Sequence, residues 1–369
     1  MIICHLTSIH KRTDIRVFQK ECVSLANKTN YKVYLVVNDN LPDETLNNVF
    51  IKSTNVEMRN RLHRFMNRNK QLYKKALSIN ADLYHLHDPD LINVGVKLKK
   101  LGYKVIFDSH ENIPDQIMEK NWIPKYLRWI ISKLYGLYEK KKLTKLDYLI
   151  TVSPHIKNRL KKINMNVSII TNYPIIKYKS RISHDNDEFR ICFAGGIDHT
   201  WNHDLIIDSI SKLSNVKYII AGPSDSKYIE KLRKIPGWNK VEYLGFISKE
   251  EVENLYLSSD LGVALHHSKQ VEITGTLGNN KLFEFLESGL PVLCTDYLIW
   301  KDIVEKYNCG YTINPLSRTQ FIETIEMMIK NRDQLVKLGE NGRKAIENEF
   351  NWKSQERKLL DIYKRILGD

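Results

Sequence analysis

No apolar run in this 369-residue chain reaches the roughly 18 residues that a membrane-spanning helix needs. A basic segment followed by an apolar one is also missing at the start. Met1 leads directly into IICHL, so no secretory leader is expected. The five cysteines (Cys4, Cys22, Cys192, Cys294, Cys309) are scattered, odd in number and without metal-type spacing. That argues against a disulfide framework and against a zinc module. Cys4, Cys192 and Cys294 stand in apolar strand-like runs, where free thiols behave as small hydrophobes. Internal repeats and low-complexity tracts are lacking as well. Together these absences lead to the expectation of a cytoplasmic globular protein.

What is present suits two domains of ordinary size. Hydrophobic residues make up 42% and charged residues 27%, which separates the chain from disordered proteins. The formal net charge is +14 and the isoelectric point about 9.3. An excess of that size points to an anionic partner: nucleic acid, a lipid surface or a phosphorylated substrate. A stacked-aromatic RNA signature and a DNA-reading motif are both missing, so nucleic acid is not the expected partner.

Short apolar runs alternate with longer helical patterns. YKVYLVVN (31–38), ADLYHLH (81–87), YKVIFDSH (103–110) and DYLITVS (147–153) read as strands of a buried parallel sheet. The polar, proline-containing stretch 173–189 reads as a linker. The alternation then restarts with FRICFAGG (189–196), VKYIIAGP (216–223), KVEYLGF (240–246), LGVALHH (261–267), LPVLCTD (290–296) and CGYTINP (309–315). The pattern predicts two tandem doubly wound α/β domains, about 1–175 and 185–349, with an interdomain cleft. Residues 350–369 form an amphipathic helix.

Several stretches carry chemistry. In FAGGIDHTWNHD, Gly195 and Gly196 end a strand and a helix begins near His203. Paired glycines let a phosphate approach the backbone, although a tight turn needs glycine anyway. GTLGNNKLFEF sets Gly275, Gly278, Asn279 and Asn280 just before a helix. Lys281, Glu284 and Ser288 share one polar stripe there; Leu282, Phe283, Phe285 and Leu286 fill the rest. Lys281 offers a point charge for phosphate, and Glu284 a carboxylate that can accept two hydrogen bonds from a vicinal diol. Glu287 reads as a solvated face. In the first domain SHEN puts His110 at a strand end, and HLHDPD does so for His87 and Asp88. Asp88-Pro-Asp90 is both a turn signal and an Asp-x-Asp arrangement able to hold a divalent ion. His10, Arg12, Asp14, Arg16 and Lys20 follow the first strand, where an acceptor or a phosphate would bind or where plain surface charge would stand. For the aromatic, basic stretch 122–142 the expectation is packing on its own sheet; for 59–75 it is contact with an anionic surface.

Taken in order, HLHDPDL, FDSHENIPDQI, YEKKKLTKLDYLITVS, FAGGI, IIAGP, VEYLGFI, GTLGNNKLFEFLESGLPVLCTD and the terminal FNW plus helix resemble the family-4 glycosyltransferases of GT-B fold. The resemblance implies retaining transfer from a nucleotide sugar, most often a UDP-sugar, with no cofactor and no metal. The last helix would cross back onto the first domain. Glu284 would bind the ribose hydroxyls and Gly195 and Gly196 the diphosphate. Gly245 and Phe246 would border the base. Asn202, His203, Thr276, Gly278, Asn279, Lys281 and Leu282 would complete the donor side. His110 would sit by the transferred sugar as the catalytic group, with His10, Arg16, His87, Asp88 and Glu111 toward the acceptor. Two positions depart from the family pattern. Thr276 stands where a second Glu is frequent, and the loop IDHTWNH replaces a frequent Arg and Lys. The implied partners are a lipid-linked saccharide and an anionic membrane surface. The alternatives are an epimerase of the same fold or a basic nucleic-acid-binding protein.

Overall fold

The computed structural model describes residues 1–54, 61–120, 122–177, 180–182, 187–267, 277 and 280–368, with backbone only at 61–66 and 119. The chain divides into two compact units: Met1–Asn172 with Trp352–Asp369, and Tyr173–Asn351.

The first unit is built on strands β1 (Ile2–Leu6), β2 (Lys32–Val37), β3 (Glu44–Leu46), β4 (Val49–Ser53), β5 (Leu83–Leu86), β6 (Lys104–Ser109), β7 (Tyr148–Thr151) and β8 (Val167–Ile169). Their order is β3-β4-β2-β1-β5-β6-β7-β8. Every pairing is parallel except the edge hairpin β3–β4. That hairpin and β8 were not expected from the sequence, because three-residue strands give too little periodicity to read. Side chains alternate between two faces, as the pleat requires. Cys4, Leu6, Tyr84, Leu86, Val105 and Phe107 meet helices Arg61–Ile79, Ile92–Lys100 and Lys125–Leu143 through residues such as Leu72, Ile92 and Leu143. Ile3, Val33, Leu35, Leu83 and Ile106 pack with Val17, Phe18 and Leu25 and with the C-terminal helix Trp352–Leu367 through Trp352, Leu359 and Tyr363.

Two helices of this unit have particular consequences. Residues Ile15–Cys22 wind as a π-helix capped by the Asp14 carboxylate, which accepts from the backbone N–H of Arg16 and Val17. The i to i+5 winding sets Glu21 beside Arg16. Helix Lys125–Leu143 corrects an expectation: its apolar stripe does not pack on the sheet. Leu127, Ile130, Ile131, Leu134 and Leu137 are exposed, as are Trp122, Tyr126 and Trp129, while only Glu139 and Leu143 of the helix are buried. A helical period shows that one face is apolar and leaves open what covers it.

Among its described residues the second unit has six parallel strands, β9 (Phe189–Ala194), β10 (Val216–Ala221), β11 (Val241–Tyr243), β12 (Leu261–Ala264), β13 (Val292–Thr295) and β14 (Gly310–Ile313), in the order β11-β10-β9-β12-β13-β14. Helix Lys281–Glu287 lies close over β12 because Gly262 has no side chain: a Cβ there would meet the Phe285 ring at 2.4 Å. Among the described residues, no helix is long and apolar enough to cross a membrane.

Candidate functional site

In a doubly wound sheet the ligand crevice lies at the carboxyl ends of the two strands where chain direction reverses across the sheet. In the second unit those strands are β9 and β12. Gly195 and Gly196 follow β9. Gly195 N–H donates to Ala221 O at 2.9 Å, and a Cβ on Gly195 would stand 2.9 Å from Cε of Lys281. A Cβ on Gly196 would meet nothing within 4 Å, so open space lies before this backbone. Gly222 (φ +135°) holds the next turn, since a Cβ there would lie 1.8 Å from Gly195 O. Gly245 (φ +66°) turns the chain so that Phe246 stands 84% exposed.

Glu284 is placed at this crevice. Its Oε2 accepts from Lys281 Nζ at 2.7 Å and from Tyr256 Oη at 3.1 Å, and Tyr256 also reaches Ala194 O at the end of β9, at 3.4 Å. Its side chain keeps 37% exposure, while Leu282, Phe283, Phe285 and Leu286 are buried. A carboxylate with one oxygen anchored and partial exposure remains able to accept from a ligand. Tyr256 was not among the residues expected at the site. It lies on a separate helix, Lys249–Leu257, so no spacing in the sequence links it to Glu284.

Three expected donor-side residues have other work. Asn202, in a left-handed conformation (φ +49°), donates through Nδ2 to Leu265 O. His203 is fully buried with Nδ1 at 2.8 Å from Tyr218 Oη, and burial lowers its pKa to about 4. Leu282 is part of the core. Asn202 Nδ2 and His203 Nδ1 are thus engaged within the protein, and Leu282 is packed in the core. Thr276, Gly278 and Asn279 lie outside the described residues.

In the first unit the reversal falls between β1 and β5. A polar network occupies their ends. Asp88 accepts from Thr7 Oγ1 (2.7 Å) and Ser8 N–H (2.6 Å), and its other oxygen lies 3.1 Å from His10 Nδ1. Burial would raise the Asp88 pKa, but these partners outweigh it and hold the value near about 2. Burial opposes charge on His10, and Asp88 overcomes it, so its pKa is raised. His10 therefore stands partly exposed with its carboxylate partner beneath it.

Deeper lies Arg16, which donates to Asp108 Oδ2 at 2.7 and 3.0 Å and to Ile170 O at 2.8 Å. Its Nε is 3.1 Å from Glu21 Oε1. Glu21 and Asp108 are both buried. Burial drives the Glu21 pKa well up, with Arg16 opposing, while Asp108 is held well down by Arg16, His110 and His87 against burial. His110 Nε2 is 3.0 Å from Asp108 Oδ2. Arg16 Nε also donates to His110 Nε2 at 3.3 Å, so this nitrogen is engaged by both Arg16 and Asp108 and Nδ1 is the ring's other polar edge. Below, His5, His85, His87 and Tyr363 link through contacts of 2.7–3.0 Å.

Arg16 and His87 were expected on the acceptor side, and both are buried inside this network; the His87 pKa falls to about 4 through burial. Arg16 holds Asp108 by two hydrogen bonds, and His87 Nε2 is paired with His5 Nδ1. Glu111 is exposed, and its carbonyl accepts from Ser109 Oγ. Two groups of described side chains bring metal-compatible atoms within 4.8 Å, His5–Glu21–His85–His87 and His87–Asp108–His110. Both are internally hydrogen-bonded or ion-paired by the contacts above. Asp108, Glu21 and Tyr363 were missed in the sequence, since β6, the π-helix and the C-terminal helix meet only on folding.

Residues 22–172 match the family described as Glycosyltransferase Family 4, and residues 175–345 match Glycosyl transferases group 1. An uncharacterized glycosyltransferase of Methanocaldococcus jannaschii is 21% identical over 194 residues, 51% of this chain and 48% of that protein. The chain spans at most about half the length of the curated relatives it matches. Sucrose-phosphate synthase from Thermosynechococcus elongatus shares the fold with a TM-score of 0.79 at 15% identity, covering 100% of this chain and 99% of that one. Anabaena HepE, solved with UDP and glucose, does so with a TM-score of 0.74 at 12% identity over 99% and 100%. With one matching model on each parallel-sheet unit, the chain belongs to the family-4 glycosyltransferases of GT-B fold.

Proposed function

We propose that this protein transfers a sugar from a nucleoside-diphosphate sugar to a lipid-linked saccharide in cell-surface polysaccharide or glycolipid assembly, with retention of configuration. The observation that carries the donor half is Glu284, a partly exposed carboxylate held by Tyr256 and Lys281 at the β9/β12 crevice. It accepts from the ribose diol. The open backbone at Gly196 and the ammonium of Lys281 receive the diphosphate, and Phe246 borders the base. A uridine nucleotide is favoured because the HepE structures hold UDP and UDP-glucose. The leaving diphosphate departs on the face from which the acceptor hydroxyl attacks, and positioning and charge stabilisation supply most of the rate. No metal is assigned a step. On the acceptor side, His110 presents Nδ1 over an Asp108 fixed by Arg16, and His10 stands on Asp88. The exposed aromatic and basic face of helix Lys125–Leu143 supports work at an anionic membrane surface on the cytoplasmic side.

A thermal-shift panel of UDP, GDP, ADP and their sugars tests the class. Stabilisation by one nucleotide of the set, and none by oligonucleotides, is expected. Turnover of donor with no acceptor present would instead indicate an epimerase.

A further inference from the structure

The excess positive charge of this chain is carried by three helices of the first unit. Helices Arg61–Ile79, Ile92–Lys100 and Lys125–Leu143 carry fifteen Lys and Arg against a single acid, Glu139. That net +14 equals the formal net charge of the whole chain, so the rest of the sequence is neutral in balance. Glu139 is itself buried and paired with Arg159. All three helices contribute walls to one cleft of about 990 Å³ in the first unit, large enough for a small-molecule head group.

The cleft is chemically specific. Lys70, Lys74 and Lys97 line it, and among the described residues none of their ammonium groups is paired with a carboxylate. The carboxylate at its edge, Asp90, is already taken by Arg68 Nη2 at 2.6 Å and Ser8 Oγ at 2.7 Å. Tyr73, Tyr135 and Tyr138 supply aromatic wall, and among the described residues the buried Tyr135 hydroxyl has no hydrogen-bond partner. Ser8 joins the cleft to the acceptor-side cluster: its hydroxyl holds Asp90 and its backbone N–H holds Asp88, the partner of His10. On the same helix that supplies Tyr135 and Tyr138, Trp129, Leu134 and Leu137 are exposed.

We propose that this cleft binds the diphosphate head of a lipid-linked acceptor, with the lysines and the Tyr135 hydroxyl on the phosphates and the lipid running out along the exposed face of helix Lys125–Leu143. A free anion would explain the lysines alone. Exposed Leu134, one turn before Tyr138 on the same helix, leads from the cleft to the exposed apolar face and fits an amphiphile, and the link through Ser8 puts the sugar end toward His10. The inference rests on the reading of the first unit as the acceptor side.

The test uses the full chain with farnesyl diphosphate, inorganic pyrophosphate and farnesol as probes, each followed by equilibrium binding. Farnesyl diphosphate is expected to bind at least tenfold more tightly than either fragment. The double variant Lys74→Glu/Lys97→Glu, at two exposed positions, should lose at least tenfold in that affinity while binding UDP as the wild type does. Tyr135→Phe should weaken it by a smaller factor. Equal affinity for pyrophosphate and farnesyl diphosphate would overturn the lipid assignment, and so would displacement of the probe by a single-stranded oligonucleotide. Failure of farnesyl diphosphate to bind a protein that still binds UDP sinks this inference alone. Failure of UDP to bind sinks the donor reading instead.

Discussion

Tyr256 Oη, on helix Lys249–Leu257, donates to Glu284 Oε2 on helix Lys281–Glu287 at 3.1 Å. The phenol also reaches Ala194 O where β9 ends. One hydroxyl thus ties the carboxylate to the strand end at which the second unit's crevice opens. The Lys281 ammonium closes the other side at 2.7 Å.

Glu284→Ala should weaken UDP binding by about 10- to 100-fold, since hydrogen bonds to a charged group contribute about 1.5–3 kcal/mol. Tyr256→Phe should cost less, because it frees the carboxylate without removing it. Calorimetry checks both, and an unchanged affinity for Glu284→Ala removes the residue from the site.

His110→Ala should lower turnover by about 100-fold or more, the usual range for a positioned acid or base, with donor affinity nearly unchanged. Asp108→Asn should lower turnover too, because it removes the buried negative charge that Arg16 and His110 both face. Wild-type rates in both variants would assign the network to stability only.

Gly222→Ala should destabilise the second unit by about 3 kcal/mol or more and lower its thermal unfolding midpoint. The residue sits at φ +135°, and the new Cβ would fall 1.8 Å from Gly195 O. A transition within experimental error of wild type would show that this turn relaxes freely.

Acid should destabilise the second unit through His203. The unfolded chain takes its proton near pH 6.5, but the buried native imidazole does so only near pH 4. Between these values the unfolded state binds more protons, so stability falls as pH falls, by about 3 kcal/mol across the window. His203→Gln, which can keep a hydrogen bond to Tyr218, should show a shallower acid limb in melting temperature against pH. Identical slopes would rule out this histidine as the cause.

Trp129→Glu combined with Leu134→Glu should reduce co-sedimentation with anionic vesicles at least tenfold, and added salt should weaken the wild type. If wild-type protein stays in the supernatant and instead forms a dimer that the variant loses, a second copy covers this face.

The sequence by itself determined the two parallel sheets. Runs such as VIFDS and ICFA are apolar on both faces, and only a covered parallel sheet accommodates them. It also marked Glu284 and Lys281, because local helical spacing suffices to place a polar stripe among Leu282, Phe283 and Phe285. Tertiary structure alone decided which polar groups face inward. Asn202 and His203 read like loop ligands, yet Leu265 and Tyr218 claim them. Arg16 and Glu21 from the π-helix, Asp108 from β6 and Tyr363 from the C-terminal helix come from three separate elements and meet in one buried network. The uncovered face of helix Lys125–Leu143 was equally unreadable. Periodicity reports the pattern on one element, while burial and pairing depend on neighbours that long-range folding supplies.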